Sequence, residues 1–366
     1  MSSSSSVDST RPVRPGEEID AAALAVWLAP RLPGVEGPIA IEQFPGGHSN
    51  LTYLLRSGDR ELVLRRPPFG SKVKTAHDMG REYRVLSRLH AAYPKAPRAL
   101  LCCDDPEVIG APFYIMERVR GVILRRKEAP AGFDLPPDRM RAISEAAVEG
   151  LAELHAVDLR AAGLEGLGHP QGYVARQVEG WTGRWQASRT DDVPDLDRAA
   201  AWLAANQPPQ PPASGAALLH NDYKYDNLVL HPEEPSRIVA VLDWEMATVG
   251  DPLMDLGTSL GYWMDPDDAP DLRLLPAGPT TLPGNLSRAG IVERYAKLSG
   301  RDISGILFYY VYGVFKIAVI AQQIYYRYQQ GLTRDERFAA MIGAVRVLGR
   351  IAAQALDKGR IDRLED

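Results

Sequence analysis

The chain has 366 residues, of which 45% are hydrophobic and 24% charged, with a formal net charge of −5. That length exceeds one ordinary core and suits two lobes or domains with the balance of a globular protein. The charge is mild and no Lys/Arg block is present, which excludes nucleic acid as an expected partner.

The first stretch, "MSSSSSVDSTRPVRPGEE" (1–18), lacks the apolar core of a signal peptide and reads as a disordered leader. In "IDAAALAVWLAPRL", Leu24, Trp27 and Leu28 fall at helical spacing behind Asp20, a plausible cap. The period then changes to two. "IAIEQF", "LTYLLRSG" and "ELVLRRP" predict three strands, the last two joined by the tight turn "SGDR", so an antiparallel meander is expected. "TAHDMGREYRVLSRLHAAY" predicts a helix with Met79, Tyr83, Leu86 and Leu89 on one stripe. "RALLCCD" and "APFYIMERV" predict two further strands. Cys102 and Cys103 are adjacent, so in a strand they point to opposite faces. They read as buried thiols of a reducing, cytoplasmic compartment rather than a disulfide or zinc pair.

Residues 19–119 thus form a small β-rich lobe, with "VRGVIL" as its exit, and residues 120–366 a larger helical one. In the second lobe, "DRMRAISEAAVEGLAELHAVDL" is a long amphipathic helix and "VPDLDRAAAWLAANQPPQPPASG" a short one ending in a Pro-rich loop. "NLVL" and "IVAVLDW" read as a hairpin, and the chain is helical from about Ile291. "ISGILFYYVYGVFKIAVIA" (303–321) is nearly long enough to span a bilayer, but Lys316 lies well inside it, and it reads as a buried helix with no membrane partner.

The chemistry concentrates in "HNDYKYDN" (220–227) and in "VLDWE", where Asp243 follows sixteen positions after Asn227. Phosphoryl transfer needs an acceptor-side carboxylate, metal between phosphate oxygens and a positive charge on the phosphates. Asp222 can take the proton of an acceptor hydroxyl, while Asn227 and Asp243 offer hard oxygens to Mg²⁺, which completes its shell with phosphate and water. Asp226 reads as structural, and Lys224 either faces the acceptor or is solvated.

"HNDYKYDN" followed by "VLDWEMATVGDPLMDLG" resembles the aminoglycoside phosphotransferase and choline kinase family, over about residues 35–350. The resemblance implies an α+β, bilobal fold like that of eukaryotic protein kinases, and transfer of the γ-phosphoryl group of ATP (GTP remains open) to a small-molecule alcohol with Mg²⁺. It implies Asp222 as catalytic base, His220 as the residue orienting the loop, Asn227 and Asp243 as metal ligands, and Asp251 and Asp255 as supports. Where the family has a strand lysine on the phosphates this chain has Arg65, with Arg66 open by register; Glu82 matches the helix acid that pairs with it. "PGGHSN" resembles the nucleotide-covering turn, with backbone from Gly46, Gly47, His48 and Ser49 near phosphate, the His48 side chain reading more as a plain loop residue than as a phosphate contact. "YIMERV", with Met116, Glu117 and Val119, would read adenine.

The acceptor is less determined. Trp181, Arg184, Tyr262 and Trp263, with Lys224, are candidate acceptor contacts, and the aromatic ones read equally as core. The wording of the insert at 172–203 is similar to kinase-like domains fused to acyl-CoA dehydrogenases, which implies a hydroxyacyl-CoA acceptor and a functional link to such a dehydrogenase; Arg176, Arg184 and Arg189 suit an anion. An aminoglycoside- or choline-type acceptor, favoured by Glu179, Asp191 and Asp192, is the alternative, and a nucleotide-binding pseudokinase a further one.

Overall fold

The computed structural model describes residues 8–45, 50–68, 78–126, 128–130, 132–209, 215–272, 275, 278–333 and 335–365. The four turn residues Gly46, Gly47, His48 and Ser49 lie outside them, as do residues 1–7.

The N-terminal lobe is one antiparallel sheet in the order β1-β2-β3-β5-β4. Its strands are β1 (Ala40–Gln43), β2 (Leu51–Ser57), β3 (Arg60–Arg66), β4 (Ala99–Cys103) and β5 (Phe113–Glu117). Helix α1 (Ala21–Leu28) starts where Asp20 accepts from the N–H groups of Ala22 and Ala23, and it covers one face of the sheet through Leu24 and Leu28. On the other face lies α2 (Met79–Ala92), capped by Asp78, with Met79, Val85, Leu86 and Leu89 inward. With helices on both faces, β2 and β3 do not alternate in burial, and most of their side chains are buried.

The expected leader ends earlier than residue 18. Arg11 and Gln43 exchange backbone hydrogen bonds of 2.9 and 2.8 Å, and Asp8 pairs with Arg125. The cause is the outer edge of β1, whose amide and carbonyl groups take a partner from the preceding chain.

The C-terminal lobe holds α3 (Pro137–His155), α4 (Tyr173–Ser188), α5 (Pro194–Ala205), α6 (Pro252–Tyr262), α7 (Arg288–Ser299), α8 (Ile306–Gln329) and α9 (Met341–Lys358). Two short antiparallel pairs are set among them, β6 (Ala217–Leu219) with β9 (Thr248–Gly250), and β7 (Leu228–Leu230) with β8 (Ile238–Val241). Helix α8 and the segment Glu336–Lys358 are long and apolar enough, by composition alone, to cross a membrane. Here α8 packs between α6 and α9, with 72% of its most apolar window buried. Gly257 of α6 and Gly313 of α8 allow this approach, since a Cβ added at Gly313 would stand 2.0 Å from the Gly257 carbonyl oxygen.

The lobes meet at the exit segment. Val122 and Leu230 exchange hydrogen bonds of 2.9 and 2.8 Å, and Val119, Ile123, Val229 and Ala240 share one apolar cluster. The linker is therefore pinned to the hairpin β7–β8 that carries the acid and amide residues.

Candidate active site

The loop between β6 and β7 is held from beneath by one buried carboxylate. Asp255, fully buried on α6, accepts from the backbone N–H groups of His220 at 2.6 Å and Asn221 at 2.8 Å. His155 Nε2 meets it at 3.2 Å. Burial alone would raise the Asp255 carboxyl, yet the His155 hydrogen bond and the neighbouring imidazoles hold it below the usual range. Asn221 takes the left-handed conformation, φ 65°, and its side chain is fixed by the Met246 carbonyl and the Tyr173 hydroxyl. This turns the chain so that Asp222 faces outward.

His220 uses both ring nitrogens. Nε2 lies 2.8 Å from the Leu242 carbonyl and Nδ1 accepts from the Asp222 N–H at 3.2 Å, an arrangement that needs the proton on Nε2. It thus ties the loop to the end of β8. Asn227 Nδ2 donates to the Asp222 carbonyl at 2.8 Å and to its carboxylate at 3.0 Å, and Lys224 Nζ donates to the same carboxylate at 3.0 Å. Tyr262 hydrogen-bonds Asp222, and the Lys224 ammonium stands 4.5 Å over the Tyr262 ring. Burial would lower the Lys224 ammonium, but Asp222 outweighs it and the net direction is upward.

Across the hairpin, the Leu242 N–H donates to the Asn227 carbonyl at 2.8 Å, which sets Asp243 beside Asn227. Asp243 is also left-handed, φ 68°. Arg65 joins the lobes here, donating to Glu82 at 2.7 Å and to Asp243 at 2.9 Å. Burial works against every charge in this triangle. It presses the Glu82 carboxyl upward, whereas Arg65 outweighs it at Asp243 and holds that carboxyl down. The register question is resolved by geometry: Arg66 faces the other side and donates to the Ile109 and Pro67 carbonyls.

Asn227 and Asp243 present an amide and a carboxylate, the hard donors that magnesium prefers. Since the Asn227 NH₂ group is spent on Asp222, its carbonyl oxygen is the end left for a metal. Among the described residues no cluster of three or more His, Cys, Asp or Glu forms a self-contained metal site. The pair suits an ion that takes its remaining ligands from phosphate and water.

The other expected contacts divide. Lys224, Tyr262 and Trp263 line one pocket with Asp226 and Ser259, beside Asp222. Burial raises the Asp226 carboxyl. Trp263 is nonetheless committed to the core, its Nε1 donating to the Leu286 carbonyl at 2.8 Å. Trp181 is buried, with the Arg184 guanidinium 4.6 Å and the Lys316 ammonium 5.7 Å from its ring, so it offers little free surface to an acceptor. Arg184 itself is exposed. Arg176 is bound to the Gln171 and His169 carbonyls, and Arg189 to Asp192 and Asp197. Met116 pairs with Val63 and Ala99 inside the sheet, and Val119 lies on the linker. The Glu117 N–H donates to the Arg98 carbonyl, so that donor is already engaged.

Three ties between lobes were not legible in the sequence. Arg81 donates to the Glu245 carbonyl at 3.0 Å and to the Ala247 carbonyl, and Asn50 donates to the Glu245 side chain at 2.8 Å. Lys316, noted only as a charge in an apolar run, reaches the Asn221 carbonyl.

A small sheet lobe and a helical lobe, with an acid-amide-acid set at their junction, make up a kinase-like phosphotransferase fold. The chain belongs to the phosphotransferase enzyme family, which it matches over residues 40–286. It is 36% identical over 331 residues to mouse acyl-CoA dehydrogenase family member 10, covering 88% of this chain but 30% of that protein's length. A solved structure from Ralstonia eutropha, provisionally assigned as an aminoglycoside phosphotransferase, superposes with a TM-score of 0.78 and 32% identity over 93% of this chain and 99% of that one. A more distant structure, a thermostable mutant of aminoglycoside phosphotransferase APH(4)-Ia with ADP and hygromycin B, shares the fold, with a TM-score of 0.55 and 16% identity over 85% of this chain and 94% of that one.

Proposed function

We propose that the protein transfers the γ-phosphoryl group of ATP, with Mg²⁺, to the hydroxyl of a small molecule, and that a hydroxyacyl-CoA is the acceptor. The observation that carries this reading is the convergence of Asp222, Asn227 and Asp243 with the Arg65–Glu82 pair. The acceptor oxygen bonds to the γ-phosphorus as the bond to the β,γ-bridging oxygen breaks, and the acceptor proton passes to Asp222. The products are ADP and a phosphate monoester. Arg65 supplies the positive charge on the phosphates, while Asn227 and Asp243 would hold a metal ion, which when bound would supply charge neutralisation at the phosphates.

For the acceptor, the exposed Arg184, which lies over the Trp181 ring, supports an anion. Two of the three insert acids that a polycationic acceptor would need are drawn off, Asp191 by Arg346 at 3.0 Å and Asp192 by Arg189 at 2.7 Å, while Glu179 is exposed. The mouse relative's name carries an acyl-CoA dehydrogenase, which agrees with a CoA thioester.

The test is ADP release from Mg-ATP in the presence of 4-hydroxyacyl-CoAs, free hydroxy acids, choline or aminoglycosides. Turnover is expected with the hydroxyacyl-CoAs, and Asp222→Asn should lower it by about 10²–10⁴-fold while nucleotide binding persists. An undiminished rate in that variant removes Asp222 from the role of base; turnover with choline or an aminoglycoside alone replaces the acceptor.

A further inference from the structure

A charge in the middle of an apolar helix needs a reason, and the reason for Lys316 lies at the reaction centre. Lys316 is 1% exposed, and its ammonium donates to the Asn221 carbonyl at 2.7 Å. That carbonyl belongs to the peptide joining Asn221 to Asp222. The N–H of the same peptide donates to His220 Nδ1. One peptide plane is therefore gripped at both ends, immediately before the proposed base. The grip acts at a sharp turn of the chain, where Asn221 stands at φ 65°, a conformation uncommon outside glycine and one that asparagine tolerates best.

The surroundings of the ammonium are mixed in charge. Asp222 and Asp255 face it as carboxylates, Lys224 and Arg184 as cations, and the Trp181 ring lies against it. Both acids already have donors, Asp255 from His155 and two backbone N–H groups, Asp222 from Asn227, Lys224 and Tyr262. Asp222 is the one that faces substrate.

We propose that Lys316 is a positioning residue, which fixes the peptide that aims Asp222 and keeps a positive charge behind its carboxylate. The inference rests on Asp222 being the base. Burial lowers the Lys316 ammonium to about 8, with Asp222 and Asp255 opposing the shift. The charge is complete below that pH and is lost as pH rises through it, so wild-type turnover should decline on the alkaline side.

Two variants and two readouts test this. Lys316→Met should lower kcat by about 10–100-fold, the scale of a small misplacement of a reacting group, with KM for ATP changed by less than about threefold. Lys316→Arg keeps both donor and charge; it should retain kcat at pH 7 within about tenfold and abolish the alkaline decline. Wild-type kcat in Lys316→Met, or superimposable alkaline limbs in wild type and Lys316→Arg, overturns the proposal. Should Lys316→Met fail to fold, the alkaline limb of Lys316→Arg decides. Hydrogen exchange of the Asn221 and Asp222 amides, which requires no acceptor, should quicken about tenfold or more in Lys316→Met, while α3 is unchanged. Unaltered exchange overturns the inference even where no turnover is found, whereas absent turnover with quickened exchange counts against the proposed reaction alone.

Discussion

Arg65 reaches two carboxylates at once because a guanidinium offers separate nitrogens in one plane; a lysine ammonium in its place would be a single point of charge. Glu82, almost fully buried, depends on that fork. Arg65→Met should therefore cost about 3–5 kcal/mol in urea unfolding, the penalty of a buried charge left alone, and Arg65→Lys a fraction of it. An unchanged midpoint in Arg65→Met would mean that Glu82 is neutral in the folded protein, the direction in which burial presses it. Asp265 makes a second residue-scale case. It lies buried beside Arg288, itself paired with Asp268 on its far side, and burial lifts the Asp265 carboxyl to about 6. A raised folded value means that the unfolded chain ionises first. The contribution of Asp265 to stability is thus intact below about pH 4 and falls as pH rises to 6. Relative to wild type, Asp265→Asn should gain about 3 kcal/mol between pH 4 and 7.5. A pH-independent difference between the two would refute the assignment.

At the scale of elements, the spacing of α6 and α8 matters because the two helices carry Asp255 and Lys316, which hold the same loop from two sides. Gly313 sets that spacing, and a methyl group there cannot avoid the Gly257 carbonyl. Gly313→Ala should destabilise by about 1–3 kcal/mol through overpacking, and lower kcat with it, since Lys316 sits one turn further along the helix. Gly343→Ala is the contrasting case: on the exposed side of α9, with nothing within 4 Å of an added Cβ, it should stabilise by about 0.5–1 kcal/mol. Thermal melts of the two variants moving in the same direction would contradict this reading. The same elements show what the sequence could disclose. The meander, α2 and the Asp222–Asn227–Asp243 set were legible because their periodicity or spacing is local. Strands β6 and β9, three residues each, are too short for any period, and their pairing of Ala217 with Gly250 spans the whole segment from His220 to Asp243. Helix α6 was missed for a similar reason: a Gly-containing eleven-residue segment buried nearly all round has no polar face to mark it. Lys316 was visible as an anomaly, but its partner is 95 residues away.

At the scale of the molecule, the lobes meet at several places, among them Tyr93 on Gly150, Lys95 on Glu153 and Val241, and Arg88 on Gly163, and one group of contacts converges on a short segment beside Asp222, residues 243–247. Arg65 reaches Asp243, Arg81 reaches the carbonyls of Glu245 and Ala247, and Asn50 reaches the Glu245 side chain. Helix α2 supplies both Glu82 and Arg81, so the residue that supports Arg65 and the residue that grips the turn at 245–247 are neighbours on one helix. Any nucleotide bound between Arg65 and Asp243 is then read by both lobes together, and its affinity should depend on Arg81 although Arg81 need not touch it. With Mg-ATP at one hundred times its Kd, the wild-type protein should gain about 2.7 kcal/mol of stability. In Arg81→Ala the turn loses two donors, and binding weakened about tenfold would leave an increment of about 1.4 kcal/mol at the same nucleotide concentration. Differential scanning calorimetry with and without Mg-ATP measures both increments. Equal increments would mean that the interlobe tie supports the fold alone and that each lobe meets the nucleotide independently.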